Sequence, residues 1–166
     1  MATEAAVSGD ASSTIERQVR NLIYKGCLLL DQNDFKGWLD LCAPEFHYTI
    51  SAYSPEIRRE MTWLDHDHEG MSSLIHMLPK HNSDLTPLTR HASVYTIEHD
   101  PAAAKEARVV TSVVIFSTSL DGGASELYAV GRYHDTVDLA GPAPRLKRRI
   151  VRLETRSLGI GKHWPL

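Results

Sequence analysis

The feature that most restricts the fold is a run of four strand-like segments in the second half of the chain. The segments 91–98, 107–120, 125–139 and 145–158 are rich in β-branched and aromatic residues, which favour strands. Short connections with turn signals separate them, namely HDPAAAKE, DGGA and AGPAP. Parallel neighbours would need a crossover of about a dozen or more residues, so the sequence predicts an antiparallel meander.

Helical periodicity dominates the part of the chain that precedes this meander. Ser13 and Glu16 match a capping box, and apolar residues then recur at helical spacing to about Leu30. Asn33 is predicted to cap a second, shorter helix that stops near Pro44. A strand at 46–53 and a helix at 69–79 complete the predicted elements. This order predicts an α+β fold whose helices cover one face of a curved sheet.

Composition indicates one globular domain without a strong charge bias. The chain is 42% hydrophobic and 23% charged, as globular proteins are. The net charge of −3 and the lack of a long apolar run favour neither nucleic acid nor a membrane as a partner. The small, polar residues 1–12 predict a disordered tail before a single domain at 13–166. Two cysteines in apolar stretches and no signal-peptide pattern predict a reduced, cytoplasmic protein.

Several segments carry a resemblance to a known family. The element order resembles that of the cone-shaped NTF2-like, or cystatin-like, superfamily. LLLDQNDFKGWLDLCAPEFHYTI (28–50), LTRHASV (88–94) and GRYHDTV (131–137) with the following RLKRRIVRLETRSL resemble the small, or β, subunits of Rieske-type aromatic-ring-hydroxylating oxygenases. WLDHDHEG (63–70) and the second half of the chain are most similar to the small subunit of methanesulfonate monooxygenase-type enzymes.

The resemblance implies that catalysis belongs to a partner chain. In this family a large subunit carries a Rieske [2Fe–2S] cluster and a mononuclear iron, supplied with electrons from NADH by a reductase and a ferredoxin. The small subunit implied by the resemblance supports assembly and stability in an α3β3 hexamer with a β trimer, and it binds no cofactor itself. A Rieske site needs paired Cys-x-His and Cys-x-x-His motifs. Cys27 is followed by Leu-Leu and Cys42 by Ala-Pro, so neither cysteine fits that pattern.

The sequence DHDHE at 65–69 allows more than one interpretation. If the segment is extended, His66 and His68 share one face and could bind a metal together with a carboxylate from elsewhere. If it enters the helix at 69–79, Asp65 or Asp67 caps that helix and the acidic groups offset its dipole. The downstream helical periodicity favours the cap. Contact of this segment with a partner subunit is the third possibility.

Asp31, Tyr48 and His91 form the second candidate site. They stand in places that correspond to the pocket residues of dehydratases and isomerases of the same fold, such as scytalone dehydratase. There, an Asp–His pair performs general acid–base catalysis. A stand-alone dehydratase or isomerase that uses Asp31 and His91 is therefore the alternative function. The competing interpretation is a buried polar network, since buried polar groups must be paired.

The last candidate residues are predicted to contact other subunits. The segment 145–156 is rich in arginine, and Arg149, Arg152 and Arg156 suit ion pairs with acidic groups of a neighbouring subunit. Trp63 and Trp164 lie in less regular segments, and tryptophan is enriched at interface hot spots. For Trp164, packing on its own domain is the equal alternative. Asp65, His66 and His68 complete the set of predicted interface residues.

Overall fold

A computed structural model describes residues 2–81, 84–100, 105–158 and 165–166 of the chain, with side chains from 12 to 80 in the first range. The elements, in chain order, are α1 (Ala2–Asp31), α2 (Phe35–Leu39), β1 (Cys42–Ser54), β2 (Arg59–Asp67), α3 (His68–His81), β3 (Leu88–His99), β4 (Glu106–Thr118), β5 (Ser125–Asp138) and β6 (Arg145–Leu153). The predicted α+β class, with N-terminal helices on a curved sheet, is confirmed.

One six-stranded sheet contains every strand, in the order β2-β1-β6-β5-β4-β3. The predicted meander is confirmed, because β3, β4, β5 and β6 pair antiparallel with their chain neighbours. In addition, β1 pairs parallel with β6, which the sequence did not predict. The remaining strands and α3 lie between β1 and β6 in the chain and provide the long crossover that a parallel pair requires.

The junction between α1 and α2 differs from the prediction in one residue. Asp34 rather than Asn33 caps α2, because its carboxylate accepts a hydrogen bond of 2.9 Å from the amide of Gly37. Asn33 instead adopts a left-handed conformation with φ 57°, which asparagine tolerates at the end of a helix. Helix α2 ends at Leu39, before the predicted stop at Pro44, and β1 already includes that proline.

Helix α1 also begins earlier than predicted. Its backbone is helical from Ala2, ahead of the capping box at Ser13, in keeping with the alanines and glutamate that occupy the preceding residues. The side chains of residues 1–11 are outside the described part of the chain. A disordered tail at 1–12 and a single domain over 13–166 stay predictions.

The inner face of the curved sheet and the helices enclose the core. Apolar side chains of α1 pack against β3 and belong to the same core cluster as inward residues of β4, β5 and β6. Trp38 of α2 meets the rings of Phe46 and Tyr48 edge to face. Burial alternates along β5, so that Tyr133 faces inward and Arg132 outward. The outer face of the sheet is therefore the more polar one. No helix in the described part of the chain is long and apolar enough to cross a membrane.

A bulge in β6 explains why its charges fall on both faces. Lys147 is the extra residue, since the pairing with β5 skips it between Leu146 and Arg148. Leu146 and Arg149 consequently both face the core although three positions separate them, while Arg148 and Arg152 are exposed. The strand ends at Leu153, five residues before the predicted end at 158.

Candidate functional site

The cone interior contains a buried ion pair between the end of α1 and the start of β3. Arg90 donates from Nη1 to Asp31 Oδ1 at 2.6 Å, and its backbone amide lies 3.1 Å from both carboxylate oxygens. The Arg90 side chain is only 1% exposed and that of Asp31 20%. Burial removes both charged groups from water, and the hydrogen bonds and charge attraction between them offset the cost of this desolvation. Asp31 therefore serves to hold Arg90.

His91 lies on the opposite face of β3 from Arg90. Successive residues of a strand point to opposite faces, so the inward position of Arg90 sends His91 outward. The His91 ring is exposed and meets the ring of Phe116 edge to face, with centroids 5.6 Å apart. The predicted Asp31–His91 acid–base pair is therefore wrong: the neighbouring Arg90 takes the carboxylate.

Tyr48 is the member of that predicted set that does face the interior. Its hydroxyl donates to the carbonyl oxygen of Leu166 at 3.2 Å and accepts from the amide of Leu166 at 2.8 Å. Burial raises the pKa of Tyr48 to about 12, so the phenol stays neutral. Arg90 Nη2 donates to the carbonyl oxygen of Pro165 at 2.8 Å. These contacts form the buried polar network that was the competing interpretation.

A second ion pair, Asp135 with Arg149, is completely buried. Two parallel hydrogen bonds of 2.8 Å join the guanidinium to the carboxylate, and both side chains are 0% exposed. The guanidinium carbon also lies 4.0 Å from the centre of the Tyr133 ring. The predicted subunit contact of Arg149 is thus corrected, because a fully buried side chain offers no surface to a partner.

The sequence carries a signal for the acidic half of this pair. Asp135 lies two residues from Tyr133 and from Val137 in β5, and alternation places all three on the inner face. Its cross-strand neighbour in β6 is Arg149, which the Lys147 bulge turns inward. An acidic residue in phase with the apolar face of a strand indicates a buried partner of opposite charge.

The DHDHE segment divides between a strand and a helix. Asp65, His66 and Asp67 end β2, and His68 begins α3. Asp67 accepts a hydrogen bond of 2.8 Å from the amide of Gly70, which confirms that an aspartate caps this helix. The segment is therefore a charged helix entrance rather than a continuous strand that aligns His66 with His68.

Asp65 has a different role from the predicted cap. It accepts hydrogen bonds from His47 Nε2 at 2.7 Å and from the Thr49 hydroxyl at 2.9 Å, across the β1–β2 pair. The hydrogen bond from His47 is the main reason that the pKa of Asp65 is lowered. His66 and His68 are half-buried. Within the described ranges, no three His, Cys, Asp or Glu side chains are grouped so that they could hold a metal ion.

The cysteines do not fit an iron–sulfur cluster. Cys27 and Cys42 are both free and buried, and burial raises the pKa of both thiols, that of Cys42 to about 12. An iron–sulfur ligand is a thiolate, which burial disfavours here. Cys42 Sγ is instead directed at the carbonyl oxygen of Trp38, 3.7 Å away. Both residues pack as small apolar side chains.

The other predicted interface residues lie at the surface where the structure describes them. Trp63 in β2 is 48% exposed, and Arg152 in β6 is exposed. Arg156 forms an ion pair with Glu56, and its hydrogen bond lowers the pKa of Glu56 to about 2. Trp164 lies outside the described residues. An open recess of about 430 Å³ on the outer face is lined by Glu45, His47, Glu106, Thr136, Lys147 and Arg148.

The fold and its polar interior define the class of protein. The structure superposes on an NTF2-like protein with a cystatin-like fold from Novosphingobium aromaticivorans, with a TM-score of 0.65 and 15% identity, over 93% of this chain and 92% of the other. It also superposes on the β subunit of a proposed aromatic-ring-hydroxylating dioxygenase from the same organism, with a TM-score of 0.77 and 19% identity over 89% and 94%. The chain thus has the cone-shaped NTF2-like, or cystatin-like, fold.

Sequence comparison then gives the family. The model of the ring hydroxylating beta subunit family matches residues 26–159, so the chain belongs to that family. It is 41% identical over 155 residues to the methanesulfonate monooxygenase hydroxylase subunit beta of Methylosulfonomonas methylovora, over 89% of this chain and 85% of that one. It is 31% identical over 148 residues to the 2-aminobenzenesulfonate 2,3-dioxygenase subunit beta of an Alcaligenes species, over 89% and 97%. The resemblance inferred from the sequence is confirmed.

Proposed function

We propose that this chain is the non-catalytic small subunit of a Rieske non-haem iron oxygenase of the alkanesulfonate or methanesulfonate monooxygenase type. Its partner is a cytoplasmic large subunit that carries the [2Fe–2S] cluster and the mononuclear iron, and it receives electrons from NADH through a reductase and a ferredoxin. The small chain supports the assembly and stability of that subunit in an α3β3 hexamer with a β trimer. The names of its two relatives, both sulfonate oxygenase subunits, support this substrate class.

One observation in the structure carries the non-catalytic part of the proposal. The Asp31 carboxylate is hydrogen-bonded to the Arg90 guanidinium, and His91 lies on the opposite face of β3. A general base must reach the proton it removes. In this cone the carboxylate is used to neutralise a buried guanidinium, and Asp135 neutralises Arg149 in the same way. Such paired interiors favour a rigid scaffold.

The outer face of the sheet supports a role in subunit contact. Arg148 and Arg152 are exposed, and neither forms an ion pair with the described part of the chain. Arg132, opposite Arg152 in the β5–β6 register, is paired with Glu154 at 3.0 Å. Like charges that face each other across strands repel, so the uncompensated Arg152 suits an acidic group on a partner. The half-exposed Trp63 adds an aromatic anchor on the edge strand β2.

Co-expression tests the proposal. The chain is produced alone and together with the large chain from a neighbouring reading frame that contains Cys-x-His and Cys-x-x-His motifs. We expect a complex with equal numbers of both chains by native mass spectrometry, iron only when the large chain is present, and sulfonate-dependent NADH oxidation only from the complete system. Stoichiometric iron in the small chain alone, or separate elution of the two chains, would contradict the proposal.

A further inference from the structure

Pro165 and Leu166 are bound inside the cone as a ligand would be. Leu166 is 2% exposed and belongs to the core cluster. Three backbone groups of the two residues are recognised: Arg90 donates to the carbonyl oxygen of Pro165, and Tyr48 contacts both the amide and the carbonyl oxygen of Leu166. Tyr48 and Arg90 lie 118 and 75 residues away from their partners in the chain. The recognition is therefore tertiary rather than local.

The groups that recognise these residues are held in place by other parts of the fold. Asp31 fixes Arg90 through the guanidinium and the backbone amide. The indole of Trp38 meets the Tyr48 ring edge to face, with centroids 5.6 Å apart. Both Arg90 and Tyr48 lie on strands, where rotamers are set by packing. Because the site owes its geometry to these contacts, it is preorganised independently of its occupant.

The same interior has more hydrogen-bonding capacity than its occupant uses. Arg90 Nε, Tyr133 Oη and Arg149 Nη1 are buried without a partner in the described part of the chain. Buried polar atoms in native proteins are nearly always paired, with protein or with ordered water. The charges of both arginines are already balanced by Asp31 and Asp135. The unused groups therefore suit a ligand that supplies further acceptor oxygens.

From these contacts we infer that the cone interior is a binding site for a short, peptide-like ligand with a branched apolar side chain. Pro165 and Leu166 are its intramolecular occupant. The ligand class follows from the recognition: two carbonyl acceptors, one amide donor and one aliphatic group of the size of leucine. This inference goes beyond the proposed oxygenase role, and its test does not require the large subunit.

Emptying the site by substitution tests the inference. In the full chain, Leu166→Gly removes the side chain that fills the pocket and weakens the hold of the occupant. Binding of N-acetyl-prolyl-leucine amide is then measured by isothermal titration calorimetry. We expect the variant to bind the peptide at least about tenfold more tightly than the wild type, in which the tethered residues compete at an effective concentration of about millimolar. The peptide should also raise the thermal midpoint of the variant, since it binds only the folded state.

Matched controls separate this site from any core cavity. Leu146→Ala opens a cavity at another buried residue of the core and should not bind the peptide. N-acetyl-prolyl-glycine amide should not bind to Leu166→Gly, and Tyr48→Phe added to that variant should weaken the binding of the leucine peptide at least about fivefold. If Leu166→Gly does not fold, Leu166→Ala is used with the same peptides. The inference would be overturned if a folded Leu166 variant did not bind the leucine peptide, or if Leu146→Ala bound it equally well.

Discussion

Arg90 holds Asp31 with both its guanidinium and its backbone amide, and Nη1 lies 2.6 Å from Oδ1. This relationship decides how the interior of the cone is used. Because His91 follows Arg90 directly, the alternation of the strand directs it to the other face of the sheet. If His91 instead of Arg90 faced inward, Asp31 would have an acid–base partner. With Arg90 inward, Asp31 forms a structural ion pair.

Asp31→Asn should be strongly destabilising. The substitution leaves the Arg90 guanidinium buried and without its counter-charge, and we expect a loss of about 3 kcal/mol in the free energy of unfolding. Urea denaturation followed by circular dichroism measures it. His91→Ala is the control, because it removes an exposed side chain and should cost about 0.5 kcal/mol or less. Equal losses in the two variants would contradict the assignment of Asp31 to Arg90.

The Asp135–Arg149 pair should show strong coupling between its two residues. Asp135→Leu or Arg149→Met alone leaves one buried group without its partner, at a cost of about 3–5 kcal/mol each. Replacing both, with Asp135→Leu and Arg149→Met, removes the two charges together and should cost about 2 kcal/mol or less. A double-mutant cycle from urea denaturation measures the coupling. Additive losses would show that the two side chains do not act as a pair.

The sequence predicted those elements that are determined by residues close together in the chain. The meander followed from strand propensity and short turns, and the entrance of α3 followed from an aspartate ahead of a helical periodicity. The edge strand β2 was missed, because Arg59–Asp67 is rich in charge and exposed on both faces. A strand at an edge needs only one neighbour for its backbone hydrogen bonds, so its side chains carry little periodic signal.

The hydrogen-bond partners of the interior polar residues could not be predicted, because they lie far away in the chain. Asp31 and Tyr48 were identified as interior polar residues, but their partners were set by the register of β3 and by Leu166, which lies far away in the chain. The arginine-rich segment 145–156 predicts a subunit contact for Arg149, and the bulge at Lys147, which turns this residue inward, has no sequence signature. Residue types could therefore be predicted, whereas their pairing could not.

Arg152→Glu should weaken assembly with the large subunit while leaving the isolated chain stable. The new glutamate would face Arg132 across the β5–β6 pair, so the change removes a repulsion within the chain and alters its stability by about 0.5 kcal/mol or less. At an interface with an acidic partner, the same reversal should reduce affinity at least about tenfold.

Quantitative co-purification and biolayer interferometry with the large subunit measure this effect. The matched control is Arg17→Glu, an equal charge reversal at an exposed position on α1. Trp63→Ala should weaken assembly as well, since it removes a half-exposed aromatic side chain. Unchanged affinity for both Arg152→Glu and Trp63→Ala would place the interface on another surface.

His134 should make the stability of the chain depend on pH below neutrality. Burial, together with Arg152, lowers the pKa of His134 from its ordinary value of 6.5. The unfolded chain therefore binds the proton more readily than the folded chain. The contribution of His134 to stability should be constant above about pH 7.5 and decline as the pH falls through about 6.5 toward the lowered pKa.

The comparison of wild type with His134→Gln isolates this contribution. The variant has no proton to bind at this position, so its urea midpoint should decline less between about pH 7 and 5. Above about pH 7.5 the two proteins should keep a constant difference in stability. Parallel curves over the whole range would show that His134 does not cause the decline.

Two buried glycines should respond in opposite ways to the same added methyl group. At Gly131 in β5, a Cβ would lie 2.4 Å from the carbonyl oxygen of Arg152 and 3.1 Å from the Cα of Leu153, both backbone atoms that cannot give way cheaply. Gly131→Ala should therefore lose at least about 2 kcal/mol, since it separates β5 from β6. At Gly26 in α1, a Cβ would meet Trp38 at an ordinary 3.6 Å.

Gly26→Ala should consequently stabilise the chain by about 0.5–1 kcal/mol, the usual gain of alanine over glycine within a helix. Thermal and urea unfolding of the two variants under identical conditions measure both effects. Because each variant adds one methyl group at a buried position, a general intolerance of added volume would destabilise both. Opposite signs would show that the β5–β6 approach at Gly131 is limited by backbone contact, and a fully stable Gly131→Ala would contradict the close approach of the two strands.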